Sequence, residues 1–455
     1  MINIQTDTRK IKKGDTFVAV KCEVNDGHQY IEKAIENGAS KIVAERGEYS
    51  IPTLIVEDTR EYIENYLEEN YNKFLDEMTI IGITGTNGKT TSSYLIYQAL
   101  NKLGVKTSYI GTLGFFMDEK VMNLPNTSVD ICDTYDLLMK SYDAGYKVVV
   151  MEVSSHALSN NRLRTIKYDY AIFTNLTQDH LDHHKTMENY ALAKQKLFKS
   201  LKKDGQAIVN IDDEYKDYYL LDENNNVTYG FNDSDYTISD VNMSNKGTTF
   251  KLNGLDVETK LIGRYNIYNL VDALVLLKLM GYNDDQIKDC SKDLNAPAGR
   301  MEKLEYKNNS IIIDYAHTPD GLQNFISTVA EFVEGNIYIV FGCTGDRDRT
   351  KRPIMTDIVG GYAKKFIITN DDPHFEDPNQ IVSDMISNFD KDNYEVCLDR
   401  KEAIEKGIDL LKENDVLLIL GKGHEEFMIV GRERIPFNDR KVVESYLQYK
   451  EENIC

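Results

Sequence analysis

The chain has 455 residues, 41% of them hydrophobic, and its 74 Asp and Glu against 53 Lys and Arg give a formal net charge of −21. That length points to about three domains rather than one core, and that charge speaks against broad nucleic-acid binding, so an anionic ligand would need local basic pockets. No apolar run approaches the roughly 20 residues of a membrane helix and the opening MINIQTDTRKIKKGD lacks a signal-peptide core, so a cytoplasmic protein without membrane insertion is expected.

Residues 1–78 carry short strand-like runs (TFVAV, KIVAE, TLIVED) and end in EYIENYLEENYNKFLDE, read as a solvated helix leading into the next domain. At Thr79 the pattern changes. Thr79 to Thr84 (TIIGIT) is a β-branched run, and Leu95, Ile96, Ala99, Leu100 and Leu103 then recur at helical spacing. The turn between them, Gly85-Thr86-Asn87-Gly88-Lys89-Thr90-Thr91, has the make-up of a phosphate cradle, in which backbone amides and a helix N-terminus face an anion while Lys89 and Thr90 meet phosphate and Mg²⁺. Only Thr86 and Asn87 separate the first glycine from the Gly-Lys pair, where the commonest loop has four residues, so this is a shortened variant.

Buried-type strands KVVVMEVSS, YAIFTNL and QAIVNIDD follow among helical segments, predicting a mostly parallel sheet. Asp222 to Asn253 reads as hairpins hung on that domain. After Arg300, the strands SIIIDYAH, NIYIVFGC, KFIITNDD and NDVLLILGKG predict a separate doubly wound domain. Polar clusters stand at the carboxyl ends of these strands, where ligands bind in such sheets. The six cysteines lie far apart without a C-x-x-C pair, which predicts reduced thiols and neither a disulfide framework nor a zinc site.

Met187, Tyr190, Lys194, Leu197 and Leu201 fall on one helix face, with Lys194 interrupting the apolar stripe. Its ammonium can snorkel to water. Alternatively, held beside apolar walls, it becomes a neutral nucleophilic amine that CO₂ converts to a carbamate able to bind Mg²⁺. The sequence leaves both open. His180, His183 and His184 lack the further ligands of a zinc site, and one magnesium-associated histidine with solvated neighbours is expected.

These stretches together resemble the Mur ligases, ATP-dependent amide-forming enzymes of peptidoglycan assembly, over almost the whole chain. The resemblance rests on DTRKIKKGDTFVA, DGH at 26–28, GTNGKTT, GTLG, MEVSSHAL, FTNLTQDHLDHH, YALAKQKLF, GRYNIYN, GRME, DYAHTPD, GDRDRTKRP and GKGHE, in this order. It implies an α/β protein of three domains: an N-terminal UDP-binding domain (1–78), a central P-loop-like parallel-sheet ATPase domain (79–299) and a C-terminal doubly wound Rossmann-like domain (300–455). Within the family it is similar to the branch that adds the third amino acid to UDP-N-acetylmuramoyl-L-alanyl-D-glutamate through an acyl phosphate. Lys89, Glu152, His180 and Lys194 would be catalytic; Thr90, Glu152, His180 and a carbamoylated Lys194 would hold two Mg²⁺. ATP would meet residues 85–91 (Gly85, Thr86, Asn87, Gly88, Lys89, Thr90, Thr91) with Asn269, Arg300 and Asp314. The UDP-sugar dipeptide would lie against Thr8, Asp26, Gly27, His28, Asn126, Thr127, Ser128, Ser154, Asn160 and Arg162. The incoming amino acid would meet Arg347, Asp371, Asp372, Pro373, His374, Gly421 and Glu425. Small-molecule substrates and a monomer are expected.

Three departures from the family pattern matter. The amino-acid loop reads Asp371-Asp372-Pro373-His374, where users of meso-diaminopimelate carry D-N-P-R; histidine cannot make the bidentate arginine fork, and Asp372 would favour a cationic end such as that of lysine or ornithine. Thr127-Ser128-Val129 stands for Thr-Thr-Pro, which predicts a less rigid loop, and Thr344 replaces a glycine. Competing readings are a folate glutamate ligase, disfavoured by DGH and GKGHE; a P-loop kinase, which expects the standard loop spacing; and a non-catalytic nucleotide-binding module, disfavoured by Lys89, Thr90, Glu152, His180 and Lys194 occurring together.

Overall fold

A computed structural model describes residues 2–21, 26–244 and 247–452. The β-branched and apolar runs build three separate sheets and one terminal hairpin. The first sheet has four parallel strands in sequence order, Ile4–Gln5, Thr16–Val18, Lys41–Ala44 and Thr53–Ile55. The helix Thr59–Leu75 that follows is amphipathic rather than solvated all round: Ile63, Glu64, Leu67 and Leu75 are buried, because its apolar face joins the core that also holds Ile80 and Val149.

The second sheet has eleven strands. Its parallel centre runs Asn225–Gly230, Leu201–Asn210, Tyr168–Phe173, Thr79–Thr84, Val148–Glu152, Thr107–Gly111. Both faces are buried, which is why these strands read as near-continuous apolar runs: Ile80, Val149 and Phe173 lie in one core and Ile81, Ile83 and Val150 in the other. The Asp222 to Asn253 region is hairpin only in part. Asn225–Gly230 and Tyr236–Ser244 join the sheet in parallel, and only Gly247–Leu252 and Leu255–Thr259 continue it antiparallel. Leu201 also departs from expectation: the helix is Met187–Phe198, and Leu201 opens the next strand.

The third sheet has six strands rather than four, ordered Glu302–Tyr306, Asn309–Asp314, Val416–Leu420, Ile337–Phe341, Lys365–Ile368, Tyr394–Val396, all parallel except the first pair. The two extra edge strands are short or strongly charged, so they carried little apolar signal. Phe427–Val430 and Glu433–Pro436 form the separate hairpin. Cys132, Cys290, Cys343 and Cys397 are buried free thiols; Cys22 and Cys455 lie outside the described residues. Among the described residues no helix is long and apolar enough to cross a membrane.

Candidate active site

The carboxyl ends of the second and third sheets face one another across a cleft. On the central side, strand Thr79–Thr84 runs into the glycine turn and helix Lys89–Lys102. The shortened turn is held from outside. Thr86 N donates to the Asn175 carbonyl (2.8 Å), Asn87 N to Asn175 Oδ1 (2.9 Å) and Thr174 Oγ1 to the Asn87 carbonyl (2.6 Å). Gly88 has φ 86°, and a methyl there would overlap the Asn269 side-chain carbonyl. Gly88→Ala is therefore expected to strain the turn and displace Asn269, raising the ATP KM about tenfold or more, as a fluorescent-nucleotide titration would read; unchanged affinity would refute this account of the turn.

Two ammonium groups meet one carbonyl. Lys89 Nζ donates to Gly85 O (2.9 Å) and Thr86 O (2.8 Å), and Lys194 Nζ donates to the same Gly85 O (2.7 Å). Lys194 is 1% exposed and lies over the Tyr190 ring, 4.6 Å from its centroid. Burial first, then the charge of Lys89, pushes its pKa well below the ordinary lysine value; burial also lowers that of Lys89, against Glu152 and Asp179. The snorkelling alternative is thereby removed: the amine is almost wholly buried in the cleft wall and bonded to a carbonyl rather than extended into bulk water, and its depressed pKa moves it towards the neutral, nucleophilic form.

Glu152, also 1% exposed, ends strand Val148–Glu152. Its carboxylate accepts from Thr90 Oγ1 (2.8 Å), Thr112 N (2.9 Å), Thr112 Oγ1 (3.1 Å) and the Tyr109 hydroxyl. Oxygen donors of this kind suit Mg²⁺ rather than a softer metal. His180 adopts a left-handed backbone (φ 54°) and approaches Asp179 Oδ2 at 3.3 Å. Burial pushes its pKa down to about 2, against Asp179 and with His156, Lys194 and Lys89 acting in the same direction as burial, which favours the neutral imidazole, the form able to bind a metal. Of its neighbours, expected to be solvated, His183 is exposed and stacks on His156 (4.4 Å), whereas His184 is buried and stacks on Tyr190 (4.8 Å).

The third sheet supplies the opposite wall. Lys351 Nζ pairs with Asp179 Oδ1 at 3.0 Å, both buried; against the cost of burial, Lys351 and His180 hold that carboxyl well below the usual range. Asn87 Nδ2 donates to Asp320 (3.1 Å), and Thr318 Oγ1 donates to Asn87 Oδ1 (3.2 Å). Arg300 lies over the Tyr315 ring, and its Nε is buried without a partner, as expected of a cation awaiting an anion. Lys422 Nζ donates to Asp372 Oδ1 (2.8 Å) and Glu425 Oε2 (2.7 Å) and stands 3.9 Å from Asp371. One lysine stands among three carboxyls, and burial raises the pKa of Asp371 and lifts that of Glu425 to about 7, so the acid in excess of Lys422 carries its full negative charge only when a further cation joins it. Asp372 is not a spare acid, however: Lys422 and the Ile429 amide (3.0 Å) already occupy its Oδ1.

Of the residues singled out in sequence, Thr86, Asn87, Gly88, Lys89, Thr90, Asn126, Thr127, Ser128, Glu152, Ser154, Asn160, Arg162, His180, Lys194, Arg300, Arg347, Asp371, Asp372, His374, Gly421 and Glu425 line this cleft. Thr91, Asn269, Arg300 and Asp314 line an adjoining cavity that shares Asn87 and Gly88 with it. Gly85 contributes its carbonyl from behind. Pro373 lines neither cavity; its carbonyl abuts Gly345. Nor do Thr8, Asp26, Gly27 and His28, which the structure places in the first domain. There His28 Nδ1 meets Asp26 Oδ1 (2.7 Å) and its Nε2 accepts from Glu45 N (3.0 Å). The Thr127-Ser128 loop is firmer than expected, since Ser128 Oγ donates to the Glu152 carbonyl (2.8 Å) and accepts from Ser154 N (2.9 Å). Sequence reasoning assigned no role to Thr112, Tyr190, Tyr315, His317 or Lys351, and placed Asp179 only in a cluster suited to polar work near a metal; all six line the same cleft. Several sit inside motifs already noticed, but their partners are remote in the chain.

One buried and three half-buried histidines make acid stability predictable. His156, His184 and His317 are pushed down to about 4 and His424 to about 3, burial leading in each. Their folded pKa values are depressed, so between about pH 6.5 and about pH 4 the unfolded chain binds protons that the folded chain refuses. Stability present above that window is expected to fall as pH drops through it. Urea midpoints across the window would show the decline, and His184→Asn with His317→Asn should shrink it; an unchanged decline in that double variant would contradict the assignment.

Three family models match in order: "Mur ligase family, catalytic domain" over residues 2–79, "Mur ligase middle domain" over 83–277 and "Mur ligase, glutamate ligase domain" over 299–423. The chain is 39% identical over 454 residues to UDP-N-acetylmuramoyl-L-alanyl-D-glutamate--2,6-diaminopimelate ligase of Bacillus cereus, covering 97% of this chain and 92% of that one. It is 38% identical to the Clostridium botulinum protein of the same name, covering 98% and 95%. A solved structure of a ligase with that name superposes with TM-score 0.66 at 32% identity, covering 99% of this chain and 95% of that one. A MurF ligase from Thermotoga maritima in complex with ADP superposes with TM-score 0.72 at 20% identity, covering 99% and 98%, a likeness of fold alone. With all three models matched in order and relatives similar over nearly the full length, the chain belongs to the Mur ligase family.

Proposed function

We propose that this protein is a cytoplasmic ATP-dependent ligase that joins a diamino acid to the side-chain carboxyl of the D-glutamate in UDP-N-acetylmuramoyl-L-alanyl-D-glutamate, releasing ADP and phosphate. The observation that carries the reading is the single cleft in which the phosphate loop, the Glu152 and Lys194 cluster, Arg300, and the Arg347 and Asp371 group converge from two sheets. Relatives named for 2,6-diaminopimelate support that amino acid, while His374 and the surplus acid around Lys422 support a cationic side chain such as that of lysine or ornithine.

The phosphate loop amides and Lys89 neutralise the transferred phosphoryl group, and Arg300 supplies a cation whose Nε has no protein partner. Thr90, Glu152, His180 and a CO₂-capped Lys194 would hold two Mg²⁺, which when bound supply the charge neutralisation two meeting anions require. The carboxylate then attacks the γ-phosphate, and the amino acid's amine displaces phosphate from the resulting acyl phosphate. Arg347 fits the amino acid's carboxylate, and the surplus acid of Asp371, Asp372 and Glu425 over Lys422 fits its ammonium. The Lys351–Asp179 pair and the Asn87–Thr318–Asp320 contacts draw the two sheets together and exclude water that would hydrolyse the acyl phosphate.

The test incubates the protein with ATP, Mg²⁺ and UDP-N-acetylmuramoyl-L-alanyl-D-glutamate against L-lysine, L-ornithine and meso-diaminopimelate, following phosphate release and product mass. A tripeptide product with one of them is expected. Phosphate release with none of them forming product would overturn the reading, and a clear preference for diaminopimelate would remove the selectivity argued from His374.

A further inference from the structure

Helix Arg264–Leu279 is buried on nearly every side, and among its Leu, Val and Ala residues Asp272 is fully buried. A carboxyl in such a place needs partners or a proton. Asp272 Oδ2 lies 2.6 Å from Ser92 Oγ, one turn into the helix that begins at the phosphate loop. The same Ser92 Oγ lies 3.3 Å from Asn269 Oδ1, the atom that occupies the space a methyl on Gly88 would need. Ser92 therefore faces two acceptor oxygens with one hydroxyl hydrogen. With the Asn269 amide oriented as it is, its Nδ2 donating to Asn266 Oδ1 (3.3 Å), both contacts are satisfied together only when Asp272 Oδ2 carries a proton: it donates to Ser92 Oγ, and the serine hydrogen goes to Asn269 Oδ1.

We infer that Asp272 is a positioning residue for the nucleotide, acting as the neutral acid that frees the Ser92 hydroxyl to hold the Asn269 amide against the phosphate loop. This rests on the adjoining cavity, which Asn269, Gly88 and Thr91 line, being the nucleotide site of the proposed ligase. When Asp272 ionises, it recaptures the serine hydrogen, and Asn269 Oδ1 loses its donor. The amide then prefers the reversed orientation, presenting its NH₂ to Ser92 and to the loop.

The surroundings agree with a neutral carboxyl. Burial raises the Asp272 pKa to about 7, against hydrogen bonding from Ser92 and then from Tyr229. The phosphate-loop helix presents Ser92 to it, and strand Asn225–Gly230 presents Tyr229, the titratable group that faces it; among the described residues no salt bridge involves it. Tyr229 is itself held well above the ordinary tyrosine value by burial and then by Asp272, so it stays neutral across the range concerned. No hydrogen bond of good geometry reaches Asp272 Oδ1 or the Tyr229 hydroxyl, so Tyr229 stands beside the carboxyl at the edge of hydrogen-bond reach and Ser92 is its one close contact.

The test compares full-length wild type with Asp272→Asn and Ser92→Ala, measuring the ATP KM, kcat and ADP Kd from about pH 6 to about pH 8.5. Asparagine keeps the shape of the neutral acid and a donor towards Ser92. The wild-type KM and Kd are expected to rise about fivefold with pH, the worth of one net hydrogen bond, with kcat unmoved. Asp272→Asn should stay at the low-pH value throughout, and Ser92→Ala at the weaker value throughout. Infrared difference spectra should show a protonated-carboxyl band at low pH in wild type that Asp272→Asn lacks. Parallel pH profiles in wild type and Asp272→Asn, with nucleotide binding intact, would overturn the positioning role alone. Absence of nucleotide binding in wild type would remove the ligase reading and this role with it.

Discussion

Replacing Lys194 by alanine is expected to lower ligation by on the order of 10³-fold, the scale on which loss of one electrostatic stabiliser acts, while the protein remains folded. The loss follows from the environment of the amine. It shares the Gly85 carbonyl with Lys89, is almost wholly buried, and has its pKa depressed by burial and by that neighbour. Two ammonium groups on one carbonyl repel, and conversion of one to a carbamate turns that repulsion into attraction. Alanine leaves a cavity but also removes a buried polar group whose charge is costly to bury, so these two effects on stability oppose each other. Three measurements check the account: turnover of Lys194→Ala, its partial recovery with a short carboxylate such as acetate, and a fall in wild-type turnover in CO₂-depleted buffer that bicarbonate reverses. Full turnover by Lys194→Ala would end the carbamate proposal.

Glu152→Gln is expected to raise the Mg²⁺ concentration needed for half-maximal activity by about 100-fold or more, and Glu152→Ala to cost stability as well. The carboxylate accepts from Thr90 Oγ1, Thr112 N, Thr112 Oγ1 and the Tyr109 hydroxyl. It thus fixes the hydroxyl that would share a metal with it, and loss of such oriented ligands costs at least the effect seen for groups behind them. Glutamine keeps the shape but brings an NH₂ towards hydroxyl and amide donors. Alanine strands several of them, at about 1–3 kcal/mol each. Mg²⁺ titration of ATP turnover and thermal unfolding of both variants separate the two effects. If Glu152→Gln needed no more Mg²⁺ than wild type, Glu152 would not be a metal ligand.

Much of this was legible locally. Strand Thr79–Thr84 and the helix from Lys89 were readable because β-branched residues and helical periodicity act over a few residues. The four apolar strands of the third sheet were readable for the same reason, whereas Glu302–Tyr306 and Tyr394–Val396, short and charged at the sheet edge, were not. Periodicity also carried the apolar face of Met187–Phe198 one turn too far, to Leu201, because a strand that starts apolar continues the pattern of a helix that ends apolar.

The amino-acid sequence by itself determined the alternating α/β pattern, the phosphate loop and the presence of Lys194 on an apolar helix face. Only the tertiary structure decided what those side chains meet. Lys194 finds the carbonyl of Gly85 from another strand's turn, Asn175 clamps the shortened loop, Lys422 takes up the acid that Asp372 was expected to offer, and Asp272 meets Ser92 across two helices. The physical reason is common to all four: propensity and periodicity are short-range, while the charge state and role of a buried polar group depend on whichever distant group the fold brings within hydrogen-bond reach.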